Sequence, residues 1–340
     1  MIIYWFAYVF ILILGTGGLL FLLIRLHRSQ TSRPLLENLL LAGLTIFLTL
    51  MGLEFYLKVF FAQPDARNTL ARRNWYARYY QNAFKSFGYR DIEWTDEMVA
   101  GKIKVMAVGD SFVEGLGVEY PENRFSNRLG QKLGPKYIVF NLGDSGANTS
   151  RQIEALLDYP YDPDILVWSY VVNDIEGVAG PLWLNKPPDQ PIPPWLTPLV
   201  ENSHLANFLY WRLHRLFRVD SHDLVWEWLL TVYNDPEAWW RHQQQLLSIY
   251  EGARSEQIPL VVVVFPGLTA LEESKVVTER VVNLFRERGV PTVDVAELVK
   301  DVPVEDRIAS PVDPHPSELV HELVAEAVYQ LLLENGWGEP

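Results

Sequence analysis

Hydrophobic residues follow two different patterns along this chain, one continuous near the N-terminus and one interrupted from about residue 102 onward. Residues 1–24 contain no charged side chain, and residues 35–61 contain only three, Glu37, Glu54 and Lys58. Each stretch is long enough to cross the hydrocarbon core of a bilayer as a helix. The pattern predicts two transmembrane helices, at about 1–24 and 35–61. A cleaved signal peptide is the alternative for the first, although no basic segment precedes it and no small-residue cleavage site follows it.

Short apolar segments alternate with helix-like segments in the rest of the chain. The predicted strands are Lys102–Val108, Tyr137–Asn141, Ile165–Tyr170, Leu260–Phe265 and Thr292–Val295. The predicted helices are Glu122–Leu133, Thr149–Leu157, Glu237–Glu256, Ala270–Arg288 and Ser317–Glu334. Strands that are apolar on both faces are typical of a parallel sheet covered by helices. The alternation therefore predicts an α/β fold, a three-layer α/β/α sandwich with a mostly parallel five-stranded sheet.

This pattern also predicts the domain organisation. Residues 62–101 form a juxtamembrane connector and residues 102–340 form one α/β domain, with an aromatic-rich insertion at about 175–236. The aromatic residues of the insertion are Trp183, Trp195, Tyr210, Trp211, Phe217, Trp226, Trp228 and Tyr233. Core packing is the preferred interpretation for each of them. A cap over the active site, or contact with lipid or a glycan, is the alternative.

Charge and cysteine content limit the partners and the location. The net charge is −13, and residues 1–61 carry +2, so the remainder carries about −15, which argues against a nucleic-acid partner. The absence of cysteine excludes disulfides, thiol catalysis and cysteine-bound metal. Arg25, Arg28 and Arg33 lie between the two predicted spans, so the positive-inside rule places that loop in the cytoplasm and the long C-terminal region on the periplasmic or extracellular side.

Ser111 is the first candidate for a catalytic residue. Gly109, Asp110 and Ser111 directly follow the first predicted strand, which is where a parallel sheet presents functional side chains. An ordinary Gly-Asp-Ser turn is the alternative. A serine nucleophile needs a base, a group that orients the base, and hydrogen-bond donors for the oxyanion.

The sequence supplies a candidate for each of these roles. His315 lies in a predicted loop after the last strand, on the sheet edge that also carries Ser111, whereas His321 is expected on the polar face of the last helix. Asp313 is close enough in sequence to orient His315, and a turn or helix cap is its alternative role. Gly146 and Asn173 follow the second and third strands, so together with the N–H of Ser111 they are candidate oxyanion donors.

These residues stand in four blocks that resemble those of the SGNH, or GDSL-like, family of serine hydrolases and acyltransferases. The blocks are Gly109-Asp110-Ser111 with Gly115, then Asn141-x-Gly143-x-x-Gly146, then Asn173-Asp174, and finally Asp313 with His315-Pro316-Ser317. The resemblance covers roughly residues 100–335. It implies a flavodoxin-like sheet, a nucleophilic Ser111 served by His315 and Asp313, oxyanion donors at Gly146 and Asn173, and no cofactor.

Two positions depart from the family's pattern. Val171 stands where a glycine is usual, two residues before Asn173, and Asp313 precedes His315 by two residues where three are common. Either Asp313 or a backbone carbonyl is therefore expected to orient His315.

The sequence predicts a membrane-anchored serine esterase that acts through an acyl-serine intermediate on an ester in the cell envelope. An O-acyltransferase that modifies an envelope polysaccharide is the second hypothesis, and it would need a membrane partner to supply the acyl donor. A non-catalytic glycan- or protein-binding module is the third. The expected partners are an ester-bearing small molecule, lipid or glycan, together with membrane lipid around the two spans.

Overall fold

The computed structural model describes residues 2–28, 34–80, 87–187, 192–217 and 221–339. The strands are β1 (Ile103–Gly109), β2 (Tyr137–Gly143), β3 (Ile165–Val171), β4 (Leu260–Phe265), β5 (Thr292–Asp294), β6 (Ile308–Ser310) and β7 (Asp313–Pro316). The helices are α1 (Ile2–His27), α2 (Pro34–Val59), α3 (Leu70–Tyr79), α4 (Asp96–Val99), α5 (Ser111–Glu114), α6 (Phe125–Leu133), α7 (Thr149–Asp158), α8 (Thr197–Asn202), α9 (His204–Phe217), α10 (Ser221–Asn234), α11 (Pro236–Ser255), α12 (Leu271–Arg286), α13 (Val295–Val299), α14 (Val304–Arg307) and α15 (Glu318–Glu334). Three 3₁₀ segments complete the set, Pro121–Asn123, Val172–Val178 and Gly180–Asn185.

Strands β1 to β5 form one parallel sheet with the order β2-β1-β3-β4-β5. Every residue of β2, β3 and β4 is buried, because helices cover the sheet. This is the doubly wound, flavodoxin-like order. The predicted α/β/α fold class is therefore confirmed, and the five predicted strands agree with the observed ones to within one or two residues at their ends.

The register of the sheet brings the candidate functional segments together. Gly109 at the end of β1 is the partner of Gly143 at the end of β2, and Val108 pairs with Trp168 of β3. The carboxyl ends of these three neighbouring strands thus lie at one edge of the sheet. The segments that carry Ser111, Gly146 and Asn173 begin at that edge.

Two details near the C-terminus differ from the sequence prediction. The segment Asp313–Pro316 is a short strand, β7, paired antiparallel with β6, where a loop was predicted. His321 is fully buried in α15, and its Nδ1 accepts a hydrogen bond from the N–H of Phe125 at 3.2 Å, so its predicted place on a polar face is wrong.

The described chain divides into two compact units, and the smaller comprises Met1–Ala62, Thr69–Asn74 and Ile192–Phe217. It contains two helices that are long and apolar enough to cross a membrane, judged by length and composition: Tyr8–His27 and Pro34–Val59. Inside this unit the Glu54 carboxylate of α2 accepts hydrogen bonds from Ser203 Oγ and from the N–H groups of His204 and Leu205, each at 2.8 Å. Glu54 therefore caps the N-terminus of α9, where a negative charge stabilises a helix.

The larger unit comprises Gln63–Asn68, Trp75–Pro191 and Arg218–Pro340 and contains the whole parallel sheet. The predicted aromatic insertion is divided between the two units. Within the larger unit Trp228 and Tyr233 are buried in the core, which agrees with the preferred interpretation of core packing, whereas Trp183 is 49% exposed.

Candidate active site

The nucleophile candidate lies on a tight turn between β1 and α5. The Asp110 carboxylate caps α5 by accepting a hydrogen bond from the N–H of Phe112 at 2.9 Å, and Ser111 is the first residue of that helix. Gly109 is required for space, because a Cβ there would lie 2.4 Å from Val113 Cγ2 and 3.0 Å from Ser169 Cβ. As the first residue of a helix, Ser111 has a backbone N–H without an intrahelical acceptor.

The structure brings Ser111, His315 and Asp313 into one chain of contacts. Ser111 Oγ lies 2.9 Å from His315 Nε2, and His315 Nδ1 is hydrogen-bonded to Asp313 Oδ1. Asp313 is 1% exposed, and the same carboxylate oxygen accepts the backbone N–H of His315 at 3.2 Å. Because the Asp313 carboxylate accepts a hydrogen bond from the Nδ1–H of His315, the proton of the neutral ring stays on Nδ1 and Nε2 is free to accept the proton of Ser111. A spacing of two residues is thus sufficient for Asp313 to reach the ring.

Gly146 and Asn173 line one cavity of about 320 Å³. Gly146 has a φ of +79°, which favours glycine at this position. The side chain of Asn173 lies close enough to Asp110, the residue before Ser111, to lower the pKa of that carboxyl, so this cavity adjoins the nucleophile turn. Val171 has φ −128° and ψ 152°, an extended conformation that any residue adopts, so the missing glycine does not disturb the backbone before Asn173.

Two buried carboxyl groups that sequence reasoning did not assign hold this edge of the sheet. Asp174 accepts hydrogen bonds from the N–H of Val171 at 3.1 Å and from Gln152 Nε2 at 2.8 Å. Burial raises the pKa of Asp174 well above its ordinary value, and the nearby Asp110 carboxylate raises that pKa further. Burial also raises the pKa of Asp110 itself. The only sequence signal for Asp110 and Asp174 is their position directly beside two predicted site residues, Ser111 and Asn173.

Two buried arginines support the far end of α5. Arg90 donates hydrogen bonds to the carbonyl oxygens of Gly115 at 2.7 Å and Val118 at 2.8 Å, and Arg124 donates to that of Glu114 at 3.2 Å. Burial lowers the pKa of Arg124 to about 10, so its guanidinium stays charged at neutral pH. The carbonyl group of Glu114, which the end of the helix leaves without an intrahelical partner, is thereby satisfied, and these contacts fix the end of the helix that begins at Ser111.

His242 and His321 are unsuited to act as a base at this site. Both are fully buried, and burial lowers the pKa of His242 to about 4 and that of His321 to about 3. Among the described residues, no group of three or more His, Asp or Glu side chains is placed to hold a metal ion.

Comparison with known proteins gave one family model, described as the GDSL-like lipase/acylhydrolase family, which matches residues 107–323. Comparison with curated proteins gave no match. Among solved structures, the chain resembles a protein from Desulfitobacterium hafniense DCB-2 assigned to the lipolytic G-D-S-L family, with 18% identity, a TM-score of 0.42, and coverage of 68% of this chain and 100% of the other.

It also resembles the lipase/acylhydrolase from Enterococcus faecalis, with 13% identity, a TM-score of 0.42, and coverage of 70% and 97%. Both TM-scores are below 0.5. The family assignment therefore rests on the sequence model, which spans well over half of the chain.

Proposed function

The chain belongs to the GDSL-like lipase/acylhydrolase family, and we propose that it is a serine esterase in which Ser111 is the nucleophile and His315 the general base. The observation that carries the proposal is the chain of hydrogen bonds from Ser111 Oγ to His315 Nε2 and from His315 Nδ1 to Asp313. A serine hydroxyl is a weak nucleophile at neutral pH, and a neighbouring imidazole that accepts its proton activates it.

In the proposed reaction His315 accepts the proton of Ser111 while Oγ attacks the ester carbonyl carbon. His315 then donates that proton to the departing alcohol, and an acyl-serine remains. A water molecule gives a proton to His315 and attacks the acyl carbon, which releases the carboxylic acid and returns the proton to Ser111. Asp313 keeps the imidazole in one tautomer and stabilises the imidazolium that forms twice in each cycle.

The negative oxygen of each tetrahedral intermediate needs hydrogen-bond donors. We assign this role to the N–H groups of Ser111 and Gly146 and to the side-chain amide of Asn173. Asp110 supports the assignment, because the Asn173 side chain lies beside its buried carboxyl and lowers the pKa of that group, as an amide N–H turned toward a carboxylate does. Donors held in place in this way cost no reorganisation during the reaction.

A fluorophosphonate probe tests the nucleophile directly. The full chain in detergent is expected to be labelled and to hydrolyse 4-nitrophenyl acetate, and Ser111→Ala is expected to lose both properties. Ser145→Ala is the matched control, since Ser145 is exposed on the neighbouring loop and is expected to be labelled like the wild type. Equal labelling of the wild type and Ser111→Ala would exclude Ser111 as the nucleophile.

We also propose that α1 and α2 anchor the enzyme in a membrane and that Ser111 acts outside the cytoplasm. The support is the apolar length of the two helices and two arginines near the end of the first span, Arg25 in its last turn and Arg28 directly after it. An ester in the cell envelope is the substrate class that this location makes available.

A further inference from the structure

The walls of the cavity beside the candidate oxyanion donors are about half polar and half apolar. Six residues matter for its chemistry: Gly146, Asn148, Asn173, Glu176, Gly177 and Trp183. Among the described residues that line it, no aliphatic side chain is larger than that of Ala147. Its volume of about 320 Å³ is near the lower end of the roughly 300–1,000 Å³ typical of small-molecule sites. A long acyl chain needs a continuous apolar surface, and the amide and carboxylate groups in these walls interrupt it.

Asn148 is held in a defined orientation at this cavity. Its Oδ1 caps α7 by accepting the N–H of Arg151 at 3.2 Å, so its Nδ2 remains as the donor. That Nδ2 packs against Gly177, where a Cβ would lie 2.7 Å away. Gly177 therefore makes room for the Asn148 amide at the cavity wall.

Trp183 contacts two other side chains although it is 49% exposed. Its ring meets that of Trp228 edge to face, with centroids 5.8 Å apart, and Trp228 Nε1 donates a hydrogen bond to the carbonyl oxygen of Leu182 at 2.9 Å. Lys186 Nζ lies 4.6 Å from the centroid of the Trp183 ring and 2.6 Å from a carboxylate oxygen of Glu176. The aromatic ring of Trp183 thus lies beside polar groups at the cavity.

This combination matches the surface of a sugar. A sugar ring has C–H bonds on its faces, which pack on the electron-rich face of an indole, and hydroxyl groups around its rim, which pair with amides and carboxylates. A quaternary ammonium ligand fits less well, because Lys186 already places a positive charge over Trp183 and against Glu176.

We propose that the cavity is the subsite for the sugar of an O-acylated carbohydrate, with Trp183 as the stacking surface and Asn148 and Glu176 as partners of the hydroxyl groups. This inference rests on the proposed function, since the acyl carbonyl must lie at Ser111 while the sugar occupies the cavity. Hydrolysis consumes one water, breaks the bond between the acyl carbon and the sugar oxygen, and releases a carboxylic acid and a free sugar hydroxyl.

The test compares two acetyl esters in the full chain in detergent, a monoacetylated methyl glucoside and 4-nitrophenyl acetate, which has no sugar. The measured quantity is the ratio of kcat/KM for the first ester to kcat/KM for the second. Trp183→Ala is expected to lower this ratio about tenfold, as the loss of one aromatic packing contact predicts. Trp183→Phe is expected to keep most of it, because a phenyl ring also stacks.

Leu184→Ala is the matched control. Leu184 is the next residue, is 87% exposed and does not line the cavity, so its removal is expected to leave the ratio at the wild-type value. A ratio that is the same in Trp183→Ala and the wild type would overturn the inference. A wild-type enzyme that prefers decanoyl to acetyl esters and ignores the sugar would also overturn it.

A binding measurement separates this inference from the proposed function. Titration calorimetry of the acetylated glucoside into the Ser111→Ala chain is expected to show binding that weakens about tenfold when Trp183→Ala is added. If the wild type has no Ser111-dependent esterase activity, the proposed function fails, whatever the calorimetry shows. If the activity is present and the Ser111→Ala chain does not bind the sugar ester, the sugar subsite alone fails.

Discussion

Replacing Gly143 with alanine should disable the candidate site by a small displacement. Gly143 ends β2, and a Cβ there would lie 1.9 Å from the backbone nitrogen of Glu114 and 2.6 Å from the carbonyl carbon of Val113. These atoms belong to the backbone of α5 and cannot rotate away as the end of a side chain can. About 1.5 Å separates the 1.9 Å approach from an ordinary contact of 3.4 Å.

A shift of that size must appear at Ser111, because α5 is a four-residue helix that begins there. The distance of 2.9 Å between Ser111 Oγ and His315 Nε2 leaves only about 0.6 Å before the hydrogen bond is lost. Since a misplacement of about 1 Å can cost a hundredfold in rate, kcat/KM for 4-nitrophenyl acetate is expected to fall at least about a hundredfold. The overpacked strand end is expected to lower the free energy of unfolding by about 1–3 kcal/mol.

The assay is ester hydrolysis by the full chain in detergent, with circular dichroism and thermal unfolding to establish that the variant is folded. Gly130→Ala is the matched control, because a Cβ there meets Val139 Cγ2 at an ordinary 3.4 Å and alanine favours the helix α6. A folded Gly143→Ala enzyme with wild-type kcat/KM and wild-type Tm would refute the reasoning.

Three further predictions concern a buried histidine, the orienting carboxylate and the membrane topology. His321 has a folded pKa of about 3 against about 6.5 in the unfolded chain, so the unfolded state binds more protons between these values and stability falls as the pH drops. At pH 5 the protonation of His321 in the unfolded chain lowers the free energy of unfolding by about 2 kcal/mol. His321→Gln should therefore reduce the slope of the unfolding free energy against pH between pH 6 and pH 4. An unchanged slope would contradict the lowered pKa of His321. Asp313→Asn should lower kcat at least about a hundredfold, whereas the control Asp306→Asn, at an exposed position, should leave kcat unchanged. A kcat of Asp313→Asn equal to that of the wild type would show that Asp313 does not position His315. Because the chain has no cysteine, His27→Cys and Ser255→Cys each introduce a single thiol, and a membrane-impermeant maleimide applied to intact cells should label only the second; the reverse result would exclude the proposed topology.

The sheet could be predicted from the sequence because its strands are buried on both faces. The segment Leu260–Phe265, for example, contains no polar residue, and its observed bounds equal the predicted ones. The candidate site followed from the same reasoning, since parallel strands bring their carboxyl ends to one edge. The sequence therefore predicts that the side chains that follow β1, β2 and β3 lie close together.

Contacts between distant segments could not be predicted in this way. In the sequence, Arg90 and Arg124 are indistinguishable from ordinary surface arginines. No neighbouring residue indicates that both donate hydrogen bonds to carbonyl groups at the end of α5. His321 is different, because a signal was present. It shares a helix face with Val324, Ala325 and Val328 at spacings of three, four and seven, so the apolar periodicity of α15 placed it in the core.

The spacing of Asp313 and His315 is explained by the residues that follow each of them. Both precede a proline, and a residue before proline is confined to extended conformations. In an extended strand, side chains two residues apart project from the same face. A spacing of two therefore suits an acid and a base that lie on one strand, and β7 is such a strand, paired with β6. The backbone N–H and the ring Nδ1 of His315 both form hydrogen bonds with the same oxygen, Asp313 Oδ1. The spacing of two residues therefore keeps the hydrogen bond between the acid and the imidazole that the proposed mechanism requires.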